Sequence, residues 1–406
     1  MAPPKQQIGL VSAVAIGVAS MLGAGVFNVF GAAAAKNYEL LFVSLLLAAA
    51  VATLNAASVY QLAKRTSRPG GVYAYARAEW SDTASFVAGF SFVFGKIGSI
   101  AAIAYVFGVY LAPDHALVWA IGAIVLLTIL NLLGINRTAL VAAVLASATT
   151  VYLIVSSVAG LTQATHGVPV PHLSEPIEGV LPAASLLFFA FAGYARVATL
   201  GDEVRNPLKN IPRAIAITLV SVLAVYILVA ASLTSFFGAE LTHTSRPFAV
   251  LGALVLPDWA TVLVISGASL GSMLALLAGV SRTAASMAED RELPKIFAHR
   301  NRFGAPWLAE VIIALGSIAL LLLNPYWQWI VGFSSFSVLL YYAIGHISAF
   351  RITGRQSAGR RVVQVLGFVL CAVLLLAVPG PAVWVSGLIL VVAVLLRRLV
   401  RAQVER

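Results

Sequence analysis

The sequence predicts an all-α integral membrane protein of twelve helical spans with both termini on one face. Three observations predict it. Apolar residues make up 61% of the 406 and charged residues only 10%, against roughly 25% charged in a soluble domain. So little polar cover cannot shield that much apolar surface from water. Apolar runs recur at the length of about 20 residues that crosses a bilayer as a helix. Nearly all of the 26 Lys and Arg fall in every second connecting segment, the asymmetry of the positive-inside rule.

Span 1 (8–33) follows the short polar stretch MAPPKQQ. It reads as retained, because its apolar run is too long for a signal peptide and lacks a small-residue cleavage site. Within it lies MLGAGVF (21–27). A glycine costs about 1 kcal/mol relative to alanine inside a helix, so Gly23 and Gly25 either admit a neighbouring helix or mark a break. Gly9, Gly17 and Gly25 share similar faces, which suits packing. Span 2 (40–63) leads into a basic loop, and span 3 (83–111) carries Lys96 near its middle. Spans 4 (116–134) and 5 (139–162) precede a Pro/Gly-rich connection at 165–179, a surface loop. Span 6 (178–201) holds a second small-residue interruption, Ala192-Gly193. Pro207 and Pro212 end span 6 and start span 7 (212–237). Spans 8 (257–284), 9 (306–323), 10 (327–350), 11 (362–378) and 12 (381–397) complete the series.

With the N-terminus inside, loops 64–81, 134–138, 202–213, 285–305 and 351–361 are also inside. Of the basic residues only Lys36 and Arg246 then lie outside, and Lys96 and Arg196 lie within spans. The net charge of +11 is thus an orientation signal and a weak attraction to anionic lipid, not a nucleic-acid footprint. One cysteine, Cys371, allows no intrachain disulfide. No GxxxxGK[ST] loop of a transport ATPase is present. The histidines and acidic residues are too dispersed for a metal or catalytic cluster.

The interruptions in spans 1 and 6 are five spans apart. Five is odd, so the second half enters the membrane from the opposite side, the signature of an inverted repeat. The expected division is a transport core at 1–350, with repeats at about 8–162 and 178–350, and two added spans with a basic tail at 351–406. In such folds freed N–H groups of broken helices face an anionic group and freed carbonyls face a cation. An amino acid presents both on adjacent atoms.

Five stretches then carry a resemblance. GAGVF (23–27), RPGGVYAYAR (68–77), FFAFAGYA (188–195), GDEVRNPLKNIPRAI (201–215) and SRTAASMAEDRELP (281–294) resemble, in order, motifs of the amino acid–polyamine–organocation (APC) superfamily. The resemblance covers essentially the whole chain. It implies a LeuT-type fold and an amino acid permease, not an enzyme. By position, the backbone at Gly23, Ala24, Gly25 and Val26 would bind the substrate carboxylate. Carbonyls of Phe188, Phe189 and Phe191, at the break marked by Ala192 and Gly193, would meet the ammonium. Phe189 or Phe191 would gate the site. A bundle of spans 1, 2, 6 and 7 would move against a scaffold of spans 3, 4, 5, 8, 9 and 10.

Polar residues within spans refine the expectation. An unpaired ammonium at Lys96 costs about 2.5–3.5 kcal/mol at mid-membrane; it either bonds carbonyls of a broken helix or couples its charge state to transport. Some family members that run on protons or without an ion place a lysine in span 5, at the sodium position. Span 5 here has none, and Lys96 is the candidate substitute in space. Arg196 either pairs with Glu203, seven positions on, or lines the pocket floor. Family members that take cationic substrates often carry an acidic residue in this part of span 6; YAR (194–196) has none, so the resemblance implies a neutral amino acid over a cationic one. Asp202, Glu203, Arg65 and Arg282, with Arg68, form either a cytoplasmic gate or a solvated loop. His346 is a hydrogen-bonded structural residue or a proton relay. Ser269, Ser272 and Ser281 offer oxygens to sodium, though backbone carbonyls commonly satisfy such hydroxyls.

The expectation is a permease of the cytoplasmic membrane, working by alternating access with H+ as the first coupling ion and Na+ as the alternative. No cofactor is expected. The partners are an amino acid and membrane lipid, with no nucleic acid. Exchange, export and a non-transporting amino acid sensor are the competing readings.

Overall fold

A computed structural model describes residues 8–23, 25–65, 70–134, 139–169, 177–194, 197, 204–354 and 356–404. The described chain is built from helices: α1 (Leu10–Met21), α2 (Val26–Ala34), α3 (Leu41–Ala63), α4 (Val72–Glu79), α5 (Asp82–Leu111), α6 (Ala116–Leu132), α7 (Ala139–Thr162) and α8 (Val180–Phe191). There follow α9 (Pro207–Phe237), α10 (Pro247–Ala253), α11 (Asp258–Glu289), α12 (Trp307–Leu323), α13 (Trp327–Phe350), α14 (Ala358–Leu376) and α15 (Ala382–Val404). Among the described residues nine helices are long and apolar enough to cross a membrane, or ten if α1 and α2, bent by 46° at their break, are counted together as one span. The apolar helices α8 and α12 are shorter and fall where spans 6 and 9 are expected.

The helices differ from the expected spans in three places, each with a local cause. The basic loop after span 2 contains α4. Gly71, at φ 61°, turns the chain, and the Val72 N–H then bonds the Tyr341 hydroxyl at 2.9 Å, which fixes the first turn against α13. Span 7 begins at Pro207 instead of Pro212. Pro207 occupies the first helical position, where its missing N–H has no partner to lose, and Pro212 is absorbed one turn further in. Before α11 the chain makes a short helix, α10, that hydropathy does not single out.

Burial sorts the helices into centre and rim. The central windows of α5 and α13 are 78% and 89% buried, while those of α14 and α15 are 22% and 17%. α5 packs against α6, α11, α12 and α13. On the other side α1 lies on α9 and α7, α3 on α8 and α9, and α2 on α8. The entry to the first span and the segment after the sixth are tied by a parallel bridge, Ile8 to Val204, with the Arg205 N–H on the Ile8 carbonyl at 2.9 Å.

Candidate substrate site at two helix breaks

The first break separates α1 from α2. The Leu22 N–H closes the last turn of α1 on the Val18 carbonyl at 2.7 Å, and the Val26 N–H restarts the chain on the Gly23 carbonyl at 3.3 Å. The second follows Phe191, where Ala192–Tyr194 continue as one 3-10 turn. The two breaks touch. A Cβ at Gly193 would run into the Ser20 carbonyl, and one at Gly25 would stand 3.0 Å from Cε1 of Phe189. A Cβ at Gly23 would collide with the Ser272 hydroxyl on α11. Packing and breakage are therefore not alternatives: the same glycines interrupt the helices and let the interruptions meet.

Tyr226 of α9 joins the two ends. Its hydroxyl lies 2.8 Å from the Met21 carbonyl and 3.0 Å from the Ala190 carbonyl. Lys96 of α5 points its Nζ at the Ala192 carbonyl, 3.4 Å away, with the Phe92 ring centroid at 5.9 Å. The three phenylalanines of α8 diverge because successive helical residues point about 100° apart. Phe188 meets the edge of Tyr342 at 6.1 Å. Phe191 meets Tyr226 at 5.0 Å. Phe189 stands between Gly25 and Trp327, 6.2 Å away. Beside the first break Ser272, Thr149, Ala19 and Leu22 line a cavity of about 10 Å³, room for about one water-sized sphere. Of the other serines in α11, Ser269 donates to the Ile265 carbonyl at 2.7 Å and Ser281 to the Ala278 carbonyl at 3.2 Å. Ala24, Arg196, Asp202, Glu203 and Arg68 lie outside the described residues.

A profile of the family described as amino acid permease matches residues 8–397. The chain belongs to the amino acid permease family. The permease is 39% identical over 400 residues to an uncharacterised transporter of Mycobacterium tuberculosis, covering 96% of this chain and 90% of that one. The branched-chain amino acid permease BcaP of Bacillus subtilis is 24% identical over 77% of this chain and 74% of its own. Cationic amino acid transporter 5 of Arabidopsis thaliana is 25% identical over 74% of this chain and 57% of its own. The crystal structure of MhsT in complex with L-phenylalanine superposes with a TM-score of 0.67 at 16% identity, covering 93% of this chain and all of that one. The APC superfamily and the LeuT-type fold expected from the sequence both hold, and the permease is an integral membrane transporter.

The basic end of the permease holds a charged network that spacing does not reveal. Arg65 pairs with Glu79 at 3.8 Å and donates to the Thr353 carbonyl at 2.8 Å, and Arg282 is exposed. Glu292, just past α11, has a fully buried side chain. It accepts from Arg397 Nε of α15 at 2.6 Å and from Arg77 of α4 at 2.6 Å. Arg77 also reaches Asp290 at 3.2 Å, and Tyr73 donates to Asp290 at 2.8 Å. Burial, reinforced by that bond to a carboxylate, pushes the Tyr73 phenol well above its ordinary range. His346 is held at both nitrogens, by Ser58 at 2.8 Å and Asn55 Oδ1 at 2.7 Å. A carbonyl oxygen only accepts, so with the amide oriented this way the Nε2 carries the hydrogen.

Proposed function

We propose that the permease moves a neutral amino acid across the cytoplasmic membrane by alternating access, driven by protons, with both termini inside. The observation that carries the reading is the meeting of the two breaks through Gly25, Gly193 and Tyr226. The start of α2 offers the positive end of a helix to a carboxylate. The end of α8 offers carbonyls to an ammonium. None of the described side chains placed at the breaks is acidic, which favours a neutral substrate over a cationic one. Phe189, wedged between Gly25 and Trp327, is the aromatic gate, while Phe191 packs on Tyr226. Lys96, bonded to the second break, is the group whose charge state would sense substrate and helix position together.

The small cavity beside Ser272 and Thr149 supports a second reading, a sodium symporter. Two measurements decide. Thermal-shift assays with each amino acid should show stabilisation by neutral ones, and proteoliposomes should accumulate the stabilising amino acid under a proton gradient. Stabilisation by no amino acid would sink the substrate reading. Accumulation under a sodium gradient alone would establish the symporter, and accumulation only against preloaded amino acid would make the protein an exchanger.

A further inference from the structure

Glu310 stands apart from the breaks. It is the fourth residue of α12 and 2% exposed. Its backbone N–H is satisfied by the Pro306 carbonyl at 3.1 Å, but its Oε2 meets no hydrogen-bond partner. Its Oε1 lies 3.5 Å from the Ser281 Oγ on α11. A serine hydroxyl has one hydrogen to donate, and the shorter contact of Ser281, 3.2 Å, is to the Ala278 carbonyl. The hydrogen serves one of the two at a time, and when it lies along α11 the Ser281 oxygen is left as an acceptor toward Glu310. Two acceptors need a hydrogen between them. A carboxylic acid supplies it; a carboxylate does not. Burial argues the same way, since an ionised carboxylate with an orphan oxygen is costly away from water.

The cation that acts on the charge ionisation would create is Arg282 of α11, and it stands in solvent. Among the described ion pairs none includes Glu310. Arg282 follows Ser281 and is exposed, so water screens its pull on the carboxyl, which is outweighed by burial. The turn Lys295–Ala298, packed on α12, carries Lys295, which is also exposed. The stretch of α6 against α12 has no titratable side chain. On α5 the nearest such group is Lys96. It adjoins Ile97, whose carbonyl accepts from Ser317 at 3.1 Å, and Ser317 lies two turns, about 10 Å, along α12 from Glu310.

We propose that Glu310 is a proton-binding site of the permease. Its carboxyl holds a proton while packed against Ser281 and yields it to water, leaving a carboxylate, in a conformation that hydrates this end of α12. The part this plays in transport rests on the proton-driven reading above; the protonated state itself does not.

Infrared spectroscopy of the full chain in lipid vesicles tests it. The expected result is a carbonyl-stretch band of a protonated carboxylic acid at neutral pH that disappears in Glu310→Gln and shifts in Glu310→Asp. The aspartate variant gives a reading even if the glutamine variant does not fold. A band that survives in Glu310→Gln unchanged, or no such band in the native protein, would overturn the proposal. A band that behaves as expected while uptake ignores a proton gradient would refute proton-driven transport and leave the proton site standing.

Discussion

Replacing Glu292 with glutamine should loosen α15 from the body of the permease. The side chain of Glu292 is 0% exposed and that of Arg397 is 6% exposed. The pair is bidentate, with Nε to Oε2 at 2.6 Å and Nη2 to Oε1 at 3.1 Å. Removing one partner of a buried pair leaves the other charge uncompensated, a loss of about 3–5 kcal/mol. Two contacts moderate it: Arg397 keeps the Thr83 hydroxyl at 3.2 Å and lies over the Phe86 ring at 5.0 Å. Arg77 adds little to the loss, because it is 21% exposed and retains Asp290. The expected cost is therefore at the low end, about 3 kcal/mol, or roughly a hundredfold in the folded ratio. Melting of the detergent-solubilised protein reads the loss, and proteolysis after Arg397 reads the release of the helix. The double variant Glu292→Gln with Arg397→Met removes both charges and should recover at least half of the stability. A single variant that melts with the native protein, or a double variant no better than the single, would refute the reasoning.

Gly193→Ala should abolish uptake, because the new methyl meets the Ser20 backbone carbonyl, which cannot rotate away as a side chain can; overpacking of this kind costs about 1–3 kcal/mol or more. Native uptake by this variant would show that the breaks do not need their close approach. Tyr226→Phe should cost about 1–2 kcal/mol by removing the one hydrogen that the two helix-end carbonyls share, seen as a lower melting temperature with the ring packing on Phe191 kept. Lys96→Met should preserve stabilisation by substrate while uptake loses its response to a proton gradient; an unchanged response would remove Lys96 from coupling.

The membrane helices were legible because lipid leaves a simple record. Each segment must be apolar for about 20 residues and satisfy its own backbone, and α7 and α13 fall at the expected 139–162 and 327–350. The breaks were legible because glycine has a local cost wherever it sits. What the sequence concealed are choices made across space. Nothing in the spacing pairs Glu292 with Arg397, 105 positions away. Tyr226 reads as one more aromatic in an apolar run, and its hydroxyl matters only because two helices end beside it. Phe188, Phe189 and Phe191 look alike on the page, yet the turn of α8 sends each to a different neighbour. α4 was hidden because the hydroxyl that anchors it belongs to Tyr341, far along the chain.

The Tyr226 hydroxyl has a single hydrogen and two carbonyls within reach, Met21 of one broken helix and Ala190 of the other. It can satisfy only one at a time. In the alternating access proposed above, the two helices would slide apart with the hydrogen going with one of them and the tally of bonds unchanged. Relative motion of the two helices is then nearly free at this point, as in a joint whose pin can stay in either plate.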